Sequence, residues 1–285
     1  MAVNPLLQAI RSGVRANESI GAMFATLGTG EHTRGIIPSI YRSGKASLIA
    51  TLESPNPEDS ARAAFASMRR ELDSELRSLI SNAEAFGNDE AARQLSYYEI
   101  AAGSAITLST QSQDALDALL SRFDAQSASA MGLIAAGLQP NDPMIIGDDD
   151  RAGILRTGDL LGAGAFWLAF LAWSSWGLLI TRSAPGMGFQ KQVVAALDNR
   201  TTDCCLRAHG QIQPLDGLFE LTGEPRYASK MDWTPFHFYC RSAVVLYSSA
   251  FDDGLTERMR AAADLVLSER ASGIWRDRDP ADAFG

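Results

Sequence analysis

Residues 160–180, LLGAGAFWLAFLAWSSWGLLI, run for twenty-one positions without a charge. This run narrows the architectures open to the chain, since about twenty apolar residues suffice for a helix to cross a bilayer. A helix that is apolar all round can equally be buried inside a protein or between subunits. Gly162, Gly164, Ser174, Ser175 and Gly177 dilute the run, and Asp159 and Arg182 bracket it. No second segment resembles it, and the chain as a whole is 46% hydrophobic and 21% charged, which is soluble-protein composition. A core or subunit-interface helix is expected ahead of membrane contact. Trp167, Trp173 and Trp176 on one helix keep the membrane as the alternative.

The remaining pattern is mostly helical. Ser54, Asn56, Pro57, Glu58 and Asp59 read as a helix start, with capping side chains, a first-turn proline and acids that complement the dipole. Phe65, Met68, Leu72, Leu76, Leu79, Ile80, Ala83 and Phe86 follow at spacings of three or four, and Gly87-Asn88 reads as the stop. A second helix is expected from Asp89 to about Ala102. A third is expected on Leu116, Leu119, Leu120, Phe123, Ala130, Met131 and Ile134, ending at Gly137. Short turns between them predict an antiparallel bundle. Pro140, Pro143 and Asp148-Asp149-Asp150 mark a solvated linker over 138–158 and the expected domain boundary. Asp148, Asp150 and Gly153 resemble a calcium loop only faintly, because the twelfth position lacks Glu.

Beyond Pro185 a compact module is expected: a short helix in GFQKQVVAALDNRT, a hairpin-like pair around Asp216-Gly217, and a closing strand in SAVVLYS. A last amphipathic helix is expected over 252–270, followed by a free or docking tail. The sequence thus predicts a mainly α protein: an N-terminal helical bundle, a long apolar helix, and a small α+β C-terminal module stabilised by zinc. The expected divisions are 1–150 (acidic from 51), 151–186, 187–250 and 251–285.

Charge excludes some functions. The chain carries −9 formally, and residues 51–150 alone hold six Lys/Arg against seventeen Asp/Glu. DNA binding over the whole surface is therefore not expected. Three cysteines make no disulfide framework and fit a reducing compartment. The first thirty residues lack a basic start followed by an apolar block, so no secretory signal is expected.

All three cysteines and two of the three histidines fall between Cys204 and Cys240. Cys205 and His209 are four apart, as on one helical face, and His237 and Cys240 are three apart, as on one turn. Two such pairs separated by a loop predict a tetrahedral site with Cys205, His209, His237 and Cys240 as ligands. Zinc prefers thiolate and imidazole, and a site closed by four protein ligands is structural. Cys204 is expected as a small buried side chain or an alternative ligand. A metal-free packed core is the competing reading.

Leu197-Asp198-Asn199-Arg200-Thr201, then Cys205, then His209-Gly210, then Pro235-Phe236-His237-Phe238-Tyr239-Cys240-Arg241 resembles the head-morphogenesis domain of phage minor head proteins, the family of phage Mu protein F. The resemblance covers roughly 187–247. One departure is Thr234-Pro235, where many relatives carry two prolines. The resemblance implies a structural, non-enzymatic virion protein of a tailed bacteriophage, made in the host cytoplasm and placed at the portal vertex. It implies portal or major capsid protein as partner, membership of a multi-subunit assembly, and a part in handling packaged DNA during packaging or ejection. Cys205, His209, His237 and Cys240 match the domain's polar cluster, and Asp198, Arg200, Thr201, Gly210 and Arg241 match its structural companions. Two alternatives stay open. One is a metal-dependent hydrolase or nuclease using His209 or His237 with Asp203 or Asp232. The other is a membrane-active ejection protein using residues 160–180.

Overall fold

The computed structural model describes residues 3–28, 35–147 and 151–274. The protein is mainly helical, with one long apolar helix and a small C-terminal sheet region. The described residues fall into two compact units. One is drawn from Met1–Gly21, Ala83–Thr107 and Ala169–Gly285, the other from Ala22–Asn82 and Leu108–Leu168. The units are therefore interleaved along the chain, unlike the consecutive blocks suggested by composition. Two long helices, α3 (Pro57–Tyr97) and α5 (Thr157–Ser183), contribute residues to both.

The second unit is a helical bundle. It contains α2 (Ile36–Ala50), the first part of α3, α4 (Thr110–Ala135) and the first part of α5. Tyr41 of α2 meets Phe123 of α4 edge-to-face at 5.9 Å, and its hydroxyl donates 2.9 Å to Gln126 Oε1. α4 starts where Ser109 accepts a capping bond from the Ser112 amide, and it gives way at Gly137, as its sequence predicts. The expected linker is more ordered than its composition suggests. Ile154 and Leu155 amides bond the carbonyls of Met144 and Ile145, and Ile145 and Leu155 are buried. The calcium-like Asp148 and Asp150 lie outside the described residues.

In the first unit, α3 corrects a sequence expectation. It begins at Pro57 as read, but it does not stop at Gly87-Asn88; it continues to Tyr97. Gly87 is a close-packing position and not a terminator, since a Cβ there would collide with the Ala172 carbonyl of α5. Asn88 fastens the following loop, donating to the Ile106 carbonyl at 2.7 Å and accepting from the Ile106 amide at 2.9 Å. The separate helix expected over 89–102 is thus the end of α3.

α5 is long and apolar enough to cross a membrane, yet it is mostly buried inside the protein. Trp173 and Trp176 are fully buried, with ring centroids 4.4 Å apart. β1 (Gln190–Ala195) pairs antiparallel with β2 (Ile212–Pro214) on one side and β5 (Ser242–Tyr247) on the other. β1 was expected as a helix. Its QKQVVA sequence does not alternate because both faces are covered, and a strand buried twice loses the period-two signal.

Val193, Ala195 and Val244 face a cluster with Cys204, Cys205, Ala208, Phe219 and Phe236. On the opposite face, Ala243 and Val245 abut Gly13 of α1 (Pro5–Gly28), beside Trp176. The outer edge of β5 is covered by α3, whose Gln94 Oε1 accepts from the Leu246 amide while the Tyr98 hydroxyl donates to the Leu246 carbonyl.

The segments flanking Asp216-Gly217 do not pair with each other as expected. β2 joins β1, whereas β3 (Phe219–Glu220) pairs with β4 (Lys230–Met231). The closing strand and the last helix, α7 (Leu255–Ala271), lie where the sequence places them.

Candidate metal centre

The centre is built by two loops and one short helix at an end of the three-stranded sheet. The first loop follows β1 and is shaped by Asp198. Its Oδ1 accepts from the Arg200 amide at 3.0 Å, and from the Thr201 amide and hydroxyl at 3.1 Å each. Its Oδ2 pairs with the Arg241 guanidinium, and the Ala196 amide donates to the Arg241 carbonyl at 2.9 Å. Asp198 and Arg241 therefore tie the loop after β1 to the loop before β5, across forty-three positions of sequence.

α6 (Asp203–Ala208) starts after Thr202, whose hydroxyl makes no capping bond. That hydroxyl instead lies 2.8 Å from His237 Nε2 and 3.2 Å from Cys204 Sγ. The first turn of α6 carries Cys204 and Cys205, both fully buried. The second loop brings His237 and Cys240 to them. It is a tight turn, with the Cys240 amide bonded to the His237 carbonyl and Tyr239 in the left-handed region at φ 57°.

His237 Nδ1 lies 2.8 Å from the Phe238 carbonyl, so Nδ1–H donates there and Nε2 is turned toward Cys205 Sγ at 3.1 Å. A backbone bond of this kind fixes the ring orientation that a metal-binding imidazole needs. Tyr227 stacks on the ring at 4.5 Å, nearly parallel.

The ligand atoms of Cys204, Cys205 and His237 lie within 4.8 Å of one another, and this group could hold a metal ion. Cys240 Sγ is 3.8 Å from Cys205 Sγ. Two sulfurs on one tetrahedral zinc, each about 2.3 Å from it, stand about 3.8 Å apart. The cluster favours a proton on His237, which a metal at Nε2 would displace. Burial opposes a charge on His237, yet the sulfurs of Cys204 and Cys205 outweigh it and raise its pKa to about 10. In the metal-free cluster Cys204 is pushed up to about 12 by its contact with Cys205 and by burial. A cation bound among the sulfurs reverses that cost, because it binds the thiolate form.

Three of the four expected ligands, Cys205, His237 and Cys240, come together; His209 does not join them. α6 ends at Ala208, so the four-residue spacing from Cys205 does not become a shared helical face. His209 leaves the helix with ψ 127°, and Gly210, at φ 76°, turns the chain into β2. The His209 Nδ1 accepts from the Ala195 amide at 2.9 Å, and burial lowers its pKa to about 3, so the ring is neutral and packed against β1.

Cys204, expected as a small buried side chain or an alternative ligand, stands in the cluster that His209 does not join. Nothing in the sequence signalled Thr202 or Tyr227. Of the acids named for a hydrolytic alternative, Asp203 pairs through its carboxylate with Arg270 of α7 at 2.8 Å, and Asp232 accepts from Lys191 through its backbone carbonyl. No protein-family model, curated protein or solved structure matches the chain.

Proposed function

We propose that this chain is a structural minor head protein of a tailed bacteriophage, acting at the portal vertex in head morphogenesis, and that zinc braces its C-terminal module. One observation carries the reading. The residues that resemble the Mu F-like pattern gather into two clusters, Asp198 with Thr201 and Arg241, and Cys205 with His237 and Cys240, joined along the chain at Cys240-Arg241, while His209 packs on β1 and Gly210 takes a left-handed turn. A chance match of spacing has no reason to converge in space. Zinc is held by the buried Cys204, Cys205 and His237, with the partly exposed Cys240, whose Sγ is 3.8 Å from Cys205 Sγ, as the fourth ligand. A site closed by four protein ligands suits a structural centre. The burial of α5 favours its use as a core helix over insertion into a membrane.

The test is to induce a host strain carrying this sequence in a prophage, purify particles, and identify their proteins by mass spectrometry. The chain should be found in heads at low copy beside the portal protein. Complete particles without it, with the chain left in the soluble lysate, would overturn the assignment.

A further inference from the structure

The Cys205 and Cys240 sulfurs are separated by 3.8 Å. A disulfide is about 2.05 Å long, so a closure of roughly 1.8 Å would join them. Cys240 belongs to no helix or strand, so loop backbone can supply that movement without unwinding α6. Cys240 is partly exposed as a residue and lies on a surface loop turn, whereas Cys205 is fully buried on α6, so the approach to the pair for a small oxidant is from the Cys240 side. Cys204 is a poorer partner for Cys205, because adjacent cysteines can join only through a small strained ring.

We infer that Cys205 and Cys240 are a redox-active pair that closes to a disulfide under hydrogen peroxide when no metal engages their sulfurs. In the first step the Cys240 thiolate attacks one peroxide oxygen and the O–O bond breaks. Hydroxide leaves and takes a proton to become water, and Cys240 becomes a sulfenic acid. The Cys205 sulfur then attacks the Cys240 sulfur; the S–S bond forms, the S–O bond breaks, and the oxygen departs as water with the Cys205 proton. Two thiols lose two electrons, and the peroxide is reduced to two waters. The protective role of the metal rests on the zinc reading; the thiol pair itself does not. With zinc bound, both sulfurs are committed and shielded. The two loops would then be held by the metal in one state and by the disulfide in the other.

The experiment treats the full-length protein with dilute hydrogen peroxide, once zinc-loaded and once after chelation, and maps peptides after blocking free thiols. Trypsin releases Cys204 and Cys205 on residues 201–207 and Cys240 on residues 231–241. The chelated sample should yield these two peptides crosslinked, with fragment ions placing the bond on Cys205, and Cys204→Ser should leave the crosslink intact. Cys240 oxidised to sulfinic acid without a crosslink, or a bond made through Cys204 alone, would overturn the inference. Zinc should suppress the crosslink. An identical crosslink in both samples would remove the metal reading while upholding the pair.

Discussion

Asp198→Ala is the sharpest perturbation of the network joining the two loops. The carboxylate is buried, accepts three hydrogen bonds through Oδ1, and pairs with Arg241 through Oδ2. Hydrogen bonds to a charged group contribute roughly 1.5–3 kcal/mol each, but bonds sharing one acceptor do not add. Removing one member of a buried ion pair costs about 3–5 kcal/mol. Arg241 retains some access to water, which places the expected loss for Asp198→Ala near the lower end, about 3 kcal/mol. Asp198→Asn keeps the Oδ1 acceptor and loses only the ion pair, so about half that loss is expected. Urea unfolding at neutral pH, followed by far-UV dichroism and tryptophan fluorescence, measures both. If Arg241→Ala is added to Asp198→Ala, the further loss should be small because the guanidinium has already lost its partner. Asp198→Ala within about 1 kcal/mol of the parent, or fully additive losses in the double variant, would refute the reasoning.

Two further predictions test the surrounding fold. Gly87→Ala puts a methyl group against the Ala172 carbonyl, and overpacking of about 1–3 kcal/mol should outweigh the roughly 1 kcal/mol gained in helix propensity. Gly132→Ala, with open space around it, should be neutral or stabilising, and equal urea midpoints for the two variants would contradict the tight crossing of α3 and α5. Glu90 is buried on α3, and burial raises its pKa above the ordinary 4.5 despite hydrogen bonds and cations that pull it down. The folded state therefore holds this proton more tightly than the unfolded state, and stability is lost as pH rises from about 4.5 through the folded value. Glu90→Gln removes this loss, so its stability relative to the parent should rise over that window; a difference independent of pH would count against the burial effect.

The sequence conveyed helices better than it conveyed their ends. The start of α3 was legible because Pro57, Glu58 and Asp59 act locally, within one turn. Its end was not, because Gly87 and Asn88 serve α5 and a distant loop, and such uses cannot be told from termination signals along one strand of text. β1 was misread for a related reason. Alternation is visible only when one face of a strand meets water, and both faces of this strand are covered. At the candidate centre the residue types and their clustering pointed to the right place. Cys204 was legible as an alternative ligand, but the departure of His209 was hidden by the length of α6: the helix ends at Ala208, so Cys205 and His209 do not share a helical face, and Gly210 turns the chain toward β2.

A metal brace between the two loops is measured most directly by metal content. Elemental analysis of the purified full-length protein should find about one zinc per chain. Cys205→Ser, which removes the sulfur 3.1 Å from His237 Nε2 and 3.8 Å from Cys240 Sγ, should lose it, and His209→Gln should retain it in the folded fraction. Protein folded without any zinc, or zinc that departs with His209 and stays with Cys205→Ser, would contradict the account.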